Sequence, residues 1–152
     1  MISTSQIKEL RQQSGGVSIA ECRSALERAS GDMSKALEFL KESSAKLSAK
    51  KAGRVLGAGY IHSYIHGGGA IGTLVELRAE TDFVAKNPDF HLLADDIALQ
   101  ISATSPADVT SLLTEPFIKD PAQSIADLIK NAVQRFGERV EISRFARFAA
   151  GE

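Results

Sequence analysis

The first forty residues carry short apolar stripes at helical spacing, separated by glycine breaks. Ile7 and Leu10 give residues 3–12 a thin apolar face, and Ser3 followed by Gln6 three positions on has the pattern of a capping box. Ser14-Gly15-Gly16 interrupts that helix. After Ser18, paired with Glu21 in a second capping-box pattern, Ile19, Cys22, Ala25, Leu26 and Ala29 recur every three or four residues. Ser30-Gly31 ends this helix. Asp32 stands where it would cap a third, with Met33, Ala36, Leu37 and Leu40 facing inward. Residues 1–42 therefore predict a small three-helix module. From residue 42 large apolar side chains become rare. Lys46, Lys50 and Arg54 fall every fourth residue, the pattern of a solvated linker helix over 43–58.

The period changes in the rest of the chain, 59–152. Residues 60–66 alternate Ile61, Ser63 and Ile65 with Tyr60, His62, Tyr64 and His66. Residues 70–79 are rich in β-forming side chains, and Gly67-Gly68-Gly69 between the two runs signals a hairpin. A helix opens at Asn87-Pro88, with Phe90, Leu93, Ala94, Ile97, Ala98 and Ile101 on one face, and stops at Thr104-Ser105-Pro106. Residues 107–123 are irregular or briefly helical. Ser124 and Asp127 form another capping-box pattern ahead of an amphipathic run through Ile125, Leu128, Ile129, Ala132, Val133 and Phe136, closed by Gly137. The last strand spans 139–148. Val140 and Ile142 alternate, Phe145 and Phe148 fall out of step, and a bulge near Ser143-Arg144 is expected to return both aromatics to the core face. The order β-β-α-α-β predicts an α+β fold, a small antiparallel three-stranded sheet packed against helices.

Composition narrows the function classes. The 152 residues are 43% hydrophobic and 24% charged, an ordinary globular balance. A net charge of −1 and an isoelectric point near 6.3 give no global basic footprint for nucleic acid. No apolar run reaches the roughly 18 residues of a membrane span. The single cysteine, Cys22, has no internal partner, and the opening Met-Ile-Ser-Thr-Ser-Gln shows no leader pattern, so a cytoplasmic setting is expected.

Most candidate chemistry dissolves on inspection. The triple glycine is followed by a strand-like run and no lysine, so it reads as a hairpin rather than a phosphate loop. His62 and His66 on a strand would sit about 13 Å apart, too far to share a metal ion. Cys22 lies on an inward stripe with no histidine in its own module. Neither a catalytic constellation nor a cofactor or metal site emerges. The stretch that stands out is Thr81-Asp82-Phe83-Val84-Ala85-Lys86-Asn87, at the junction of the second strand and the helix begun by Pro88. Read locally, Thr81 or Asp82 caps a helical turn and Phe83 packs inward. Read functionally, the same stretch presents an acid and a ring to a partner.

The wording of this stretch resembles the signature of the translation elongation factor Ts family. Further motifs agree in order: Gly16-Val17-Ser18-Ile19-Ala20-Glu21-Cys22-Arg23-Ser24-Ala25-Leu26 with Gly31-Asp32 and Lys35-Ala36; Ser63-Tyr64-Ile65-His66; Gly72-Thr73-Leu74-Val75-Glu76-Leu77; Ala98-Leu99-Gln100-Ile101; Glu115-Pro116-Phe117-Ile118-Lys119-Asp120-Pro121; and Arg144-Phe145-Ala146-Arg147-Phe148. The first forty residues also resemble the ubiquitin-associated (UBA-like) fold in size and loop pattern, an analogy of shape alone.

The resemblance implies a guanine nucleotide exchange factor for elongation factor Tu, acting in protein biosynthesis by binding and without covalent chemistry. Asp82 and Phe83 would disturb the partner's Mg²⁺ and phosphate site, with Thr81 and Val84 positioning them. Val17, Ser18 and Ile19 would make a separate contact from the N-terminal module. Both GDP-bound and nucleotide-free elongation factor Tu are implied partners; related single-core members imply a homodimer, with a working monomer as the alternative. Between Pro106 and Glu115 the chain holds only Ala107 to Thr114, where family members carry a long helical stretch. The alternative reading is an adaptor that binds elongation factor Tu without promoting exchange.

Overall fold

The computed structural model describes residues 1–152, which fall into two units. The first comprises Met1–Gly53 with Lys130–Gly137, the second Arg54–Ile129 with Glu138–Glu152.

In the first unit, α1 (Thr4–Gln13), α2 (Ile19–Arg28) and α3 (Met33–Lys51) enclose a core of Ile7, Leu10, Val17, Cys22, Leu26, Ala36 and Leu40. The capping box at Ser3 and Gln6 is fully made. At α2 only half of the expected box forms. Ser18 Oγ accepts the Glu21 N–H, but the Glu21 carboxylate takes the Ser18 hydroxyl proton at 2.7 Å and a proton from Gln134 Nε2 at 3.1 Å. Asp32 caps α3. That helix runs unbroken through residue 42, where the sequence pattern placed a boundary, and on to Lys51. The reason is local: Ala, Lys, Leu and Glu dominate 41–51, and the first breaker is Gly53. Ser44, which the sequence pattern places in the linker, is 1% exposed and hydrogen-bonded to Gln134. Lys51 Nζ donates to the Gly137 carbonyl at 2.7 Å.

The second unit is built on a sheet ordered β1-β2-β5, all antiparallel. β1 (Ala58–His66) and β2 (Ile71–Ala79) form the expected hairpin, turned at Gly67–Gly69 with all three glycines at positive φ. β5 (Val140–Ala149) pairs with β2. α4 (Asp82–Ala85), α5 (Pro88–Thr104) and α6 (Val109–Thr114) follow the hairpin. A small ladder of β3 (Pro116–Phe117) and β4 (Asp120–Ser124) comes next, then α7 (Ile125–Phe136), of which residues 125–129 belong to this unit. The Ser124–Asp127 box at the start of α7 is made in both directions.

α5 packs on one face of the sheet, beside Tyr60, His62, Thr73, Val75 and Leu77. Phe90, Ala94, Ile97, Ala98 and Ile101 of α5 are fully buried. Gln100 is buried as well, and its amide is satisfied by Glu115, the Pro116 carbonyl and the Ile118 N–H. The expected bulge is present at Ser143, the residue left over between the pairs Glu76–Arg144 and Leu77–Ile142. It does not bring both phenylalanines inward. Phe145 pairs with buried Val75 on the α5 side, whereas Phe148 is 75% exposed. Residues three apart on a strand lie on opposite faces, so one bulge can correct only one of them.

Candidate functional site

The Thr81–Val84 stretch is one turn of helix at the end of β2. Thr81 is the residue in extended conformation before it, and its Oγ1 accepts the Val84 N–H at 3.4 Å. Val84 and Ala85 are buried, 3% exposed each. The turn's other face is open. Phe83 is 84% exposed and Asp82 is also exposed, so the local expectation that Phe83 packs inward does not hold. Asp82, Phe83, Lys86, Asn87 and Pro88 line a surface depression. An exposed ring and an exposed carboxylate thus stand side by side at the tip of the turn.

Both ends of the turn are anchored within the second unit. At its start, Glu138 Oε1 accepts the N–H groups of Glu80 (3.1 Å) and Thr81 (3.0 Å), and Oε2 accepts the Thr81 hydroxyl proton at 2.7 Å. Glu80 Oε2 in turn accepts the Arg139 N–H at 2.8 Å, and Glu80 Oε1 lies 3.5 Å from the Arg54 guanidinium. At its end, His91 Nε2 donates to the Ala85 carbonyl at 2.9 Å, and the His91 ring stacks on Tyr60. Asn87 then caps α5 through the Asp89 N–H. Glu138, Arg139 and His91 were not singled out from the sequence. Glu138 stands 57 residues from Thr81, so no local spacing could have revealed it.

The N-terminal candidates separate by burial. Val17 is 1% exposed and belongs to the core of its module. Ser18 is exposed and caps α2, and Ile19 is 57% exposed. Of the three, Ser18 and Ile19 present side chains to solvent.

The histidines of β1 are held by neighbours. Tyr60 pairs with His62 Nδ1 at 3.1 Å, His62 Nε2 lies 2.9 Å from Asp95 Oδ1, and Tyr64 pairs with His66 Nδ1 at 2.9 Å. No three His, Cys, Asp or Glu side chains are grouped to hold a metal ion, and no helix is long and apolar enough to cross a membrane. Cys22 is buried, and burial pushes its thiol pKa upward, opposed in part by a hydrogen bond with Ser14.

A family model described as Elongation factor TS matches residues 80–152. Over nearly the full chain the sequence is similar to proteins named Elongation factor Ts. That of Desulforamulus reducens is 38% identical, over 99% of this chain and 90% of the relative. That of Carboxydothermus hydrogenoformans is 36% identical, over 100% and 90%. That of Moorella thermoacetica is 34% identical, over 100% and 97%. The first alignment runs over 196 positions although this chain has 152 residues, so the relative carries residues that this chain lacks.

Proposed function

Because the chain belongs to the elongation factor Ts family, we propose that it is a guanine nucleotide exchange factor for elongation factor Tu, with Asp82 and Phe83 as the elements that promote GDP release. The observation that carries this reading is the 84% exposure of Phe83 on a turn held down by buried Val84 and Ala85. A ring held out in this way reaches a partner without first unpacking from its own core. The partner's GDP is held together with Mg²⁺, which demands near-ideal octahedral geometry and bridges phosphate oxygens. Phe83 acts as an apolar wedge that displaces the supports of that site, and Asp82 makes the polar contact. Thr81 and buried Val84 set their direction.

Ser18 and Ile19 make a second contact from the N-terminal module, with Val17 supporting them from the core. No bond is made or broken. Exchange is reciprocal coupling: a factor that weakens GDP binding is itself bound more weakly by the GDP form. GDP-bound and nucleotide-free elongation factor Tu are thus both partners, in the cytoplasm. A homodimer is a further part of this reading. Ile61, Ile65, Leu74 and Phe148 lie exposed on the sheet face opposite α5, and an apolar face of this kind suits a second copy.

The test is stopped-flow release of a fluorescent GDP from the cognate elongation factor Tu, with wild-type chain and Phe83→Ala. Large acceleration by wild type, mostly lost in folded Phe83→Ala, supports the wedge. Binding without acceleration would replace it with the adaptor reading, to which the residues missing relative to its relatives give weight.

A further inference from the structure

A single helical turn of four residues has little stability of its own, because nucleating a helix fixes several dihedrals for one hydrogen bond. The direction in which α4 projects Phe83 must therefore come from its anchors. Phe83 supplies none, being 84% exposed. Buried Val84 and Ala85 hold the turn down and His91 pins its far end, but none of these contacts reaches the residues that enter it.

Glu138 does. Its two oxygens receive three protons from two consecutive residues, Glu80 and Thr81, at 2.7 to 3.1 Å. Hydrogen bonds to a carboxylate are roughly twice as strong as neutral ones. The Thr81 hydroxyl has one proton. With that proton committed to Glu138, its lone pairs point toward the Val84 N–H that it caps. Glu138 thus fixes both the backbone entering α4 and the orientation of the cap. Glu80 returns the arrangement by accepting the Arg139 N–H, so residues 80–81 and 138–139 are tied by crossed carboxylate-to-amide bonds.

We infer that Glu138 is a positioning residue for the exchange tip, holding Asp82 and Phe83 in the direction from which they engage a partner. The inference rests on the exchange reading above and extends it to a residue outside the Thr81–Val84 motif. Preorganisation of this kind acts on what the bound tip achieves more than on whether it docks.

The experiment measures GDP release from elongation factor Tu against factor concentration for wild type, Glu138→Ala and Glu138→Gln. In Glu138→Ala the saturating release rate is expected to fall about tenfold while the half-saturating concentration moves by less than about twofold. Glu138→Gln keeps one carbonyl acceptor, so its rate should lie between the two. In the free chain, amide hydrogen exchange at Thr81 and Val84 should accelerate in the same order, a signature that a general loss of stability would not confine to these positions. If Glu138→Ala fails to fold, Glu138→Gln decides by its intermediate rate. An unchanged saturating rate in a folded variant, or a loss confined to the half-saturating concentration, overturns the role of Glu138 and leaves the exchange reading standing. Absence of acceleration by wild type overturns both.

Discussion

The ring of His91 stacks on that of Tyr60, with centroids 3.8 Å apart and planes 16° from parallel. The contact fastens the start of α5 to β1. The same imidazole donates to the Ala85 carbonyl at the end of α4, so one side chain joins three elements. His91→Ala should lower the unfolding free energy by about 1–3 kcal/mol, combining a lost ring contact with an unpaired carbonyl. Urea unfolding checks this. His91→Phe keeps a ring but no donor and should recover part of the loss.

Phe83 and Val84 are neighbours with opposite expected phenotypes. Phe83→Ala should leave the unfolding free energy within about 0.5 kcal/mol of wild type, because an exposed ring has little folding energy to lose. Val84→Ala opens space under α4 and should cost about 1–3 kcal/mol. Urea titration of both variants beside the GDP-release assay separates the presented side chain from the supporting one.

Cys22 makes an alkaline prediction. Burial raises its thiol pKa above that in the unfolded chain, so the fold favours the protonated form. The contribution is fully present below the unfolded thiol's pKa and is lost as pH rises through the folded value. Unfolding midpoints of wild type should therefore decline above about pH 8.5 more steeply than those of Cys22→Ala. Iodoacetamide should label Cys22 slowly in the folded chain and readily in urea.

The sheet face gives a fourth expectation. Leu74→Glu places a carboxylate among Ile65, Phe148 and their neighbours while leaving the α5 side untouched. Sedimentation should show a dimer for wild type and a monomer for folded Leu74→Glu. A wild-type monomer at all accessible concentrations would remove the homodimer from the proposal.

Periodicity and glycine breaks located α1, α2, α5, α7, the β1–β2 hairpin and the bulge, because each depends on side chains within a turn or two of one another, whereas the full length of α3 and the β3–β4 ladder escaped them. The caps at Ser3, Asp32 and Ser124 were legible for the same reason: a capping side chain reaches only two or three residues. Recognition of the Thr81–Val84 motif was also a matter of local order.

What the sequence could not decide was which side of each pattern faces inward and who holds whom across the chain. β1 offers an Ile61/Ile65 face and a Tyr60/His62 face, and hydropathy alone favours burying the first. The fold turns the second toward α5, where His62 meets Asp95 and Tyr60 meets His91. Ser44 looked like a linker serine until Gln134, 90 residues away, supplied its partner. Phe83 could pack inward or face out by local pattern, and the turn of α4 at the end of β2 directs it outward. Sequence fixes local conformation through short-range sterics and hydrogen bonds. Burial and long-range pairing depend on which surfaces meet after the chain has closed on itself, and only the tertiary structure specifies that meeting.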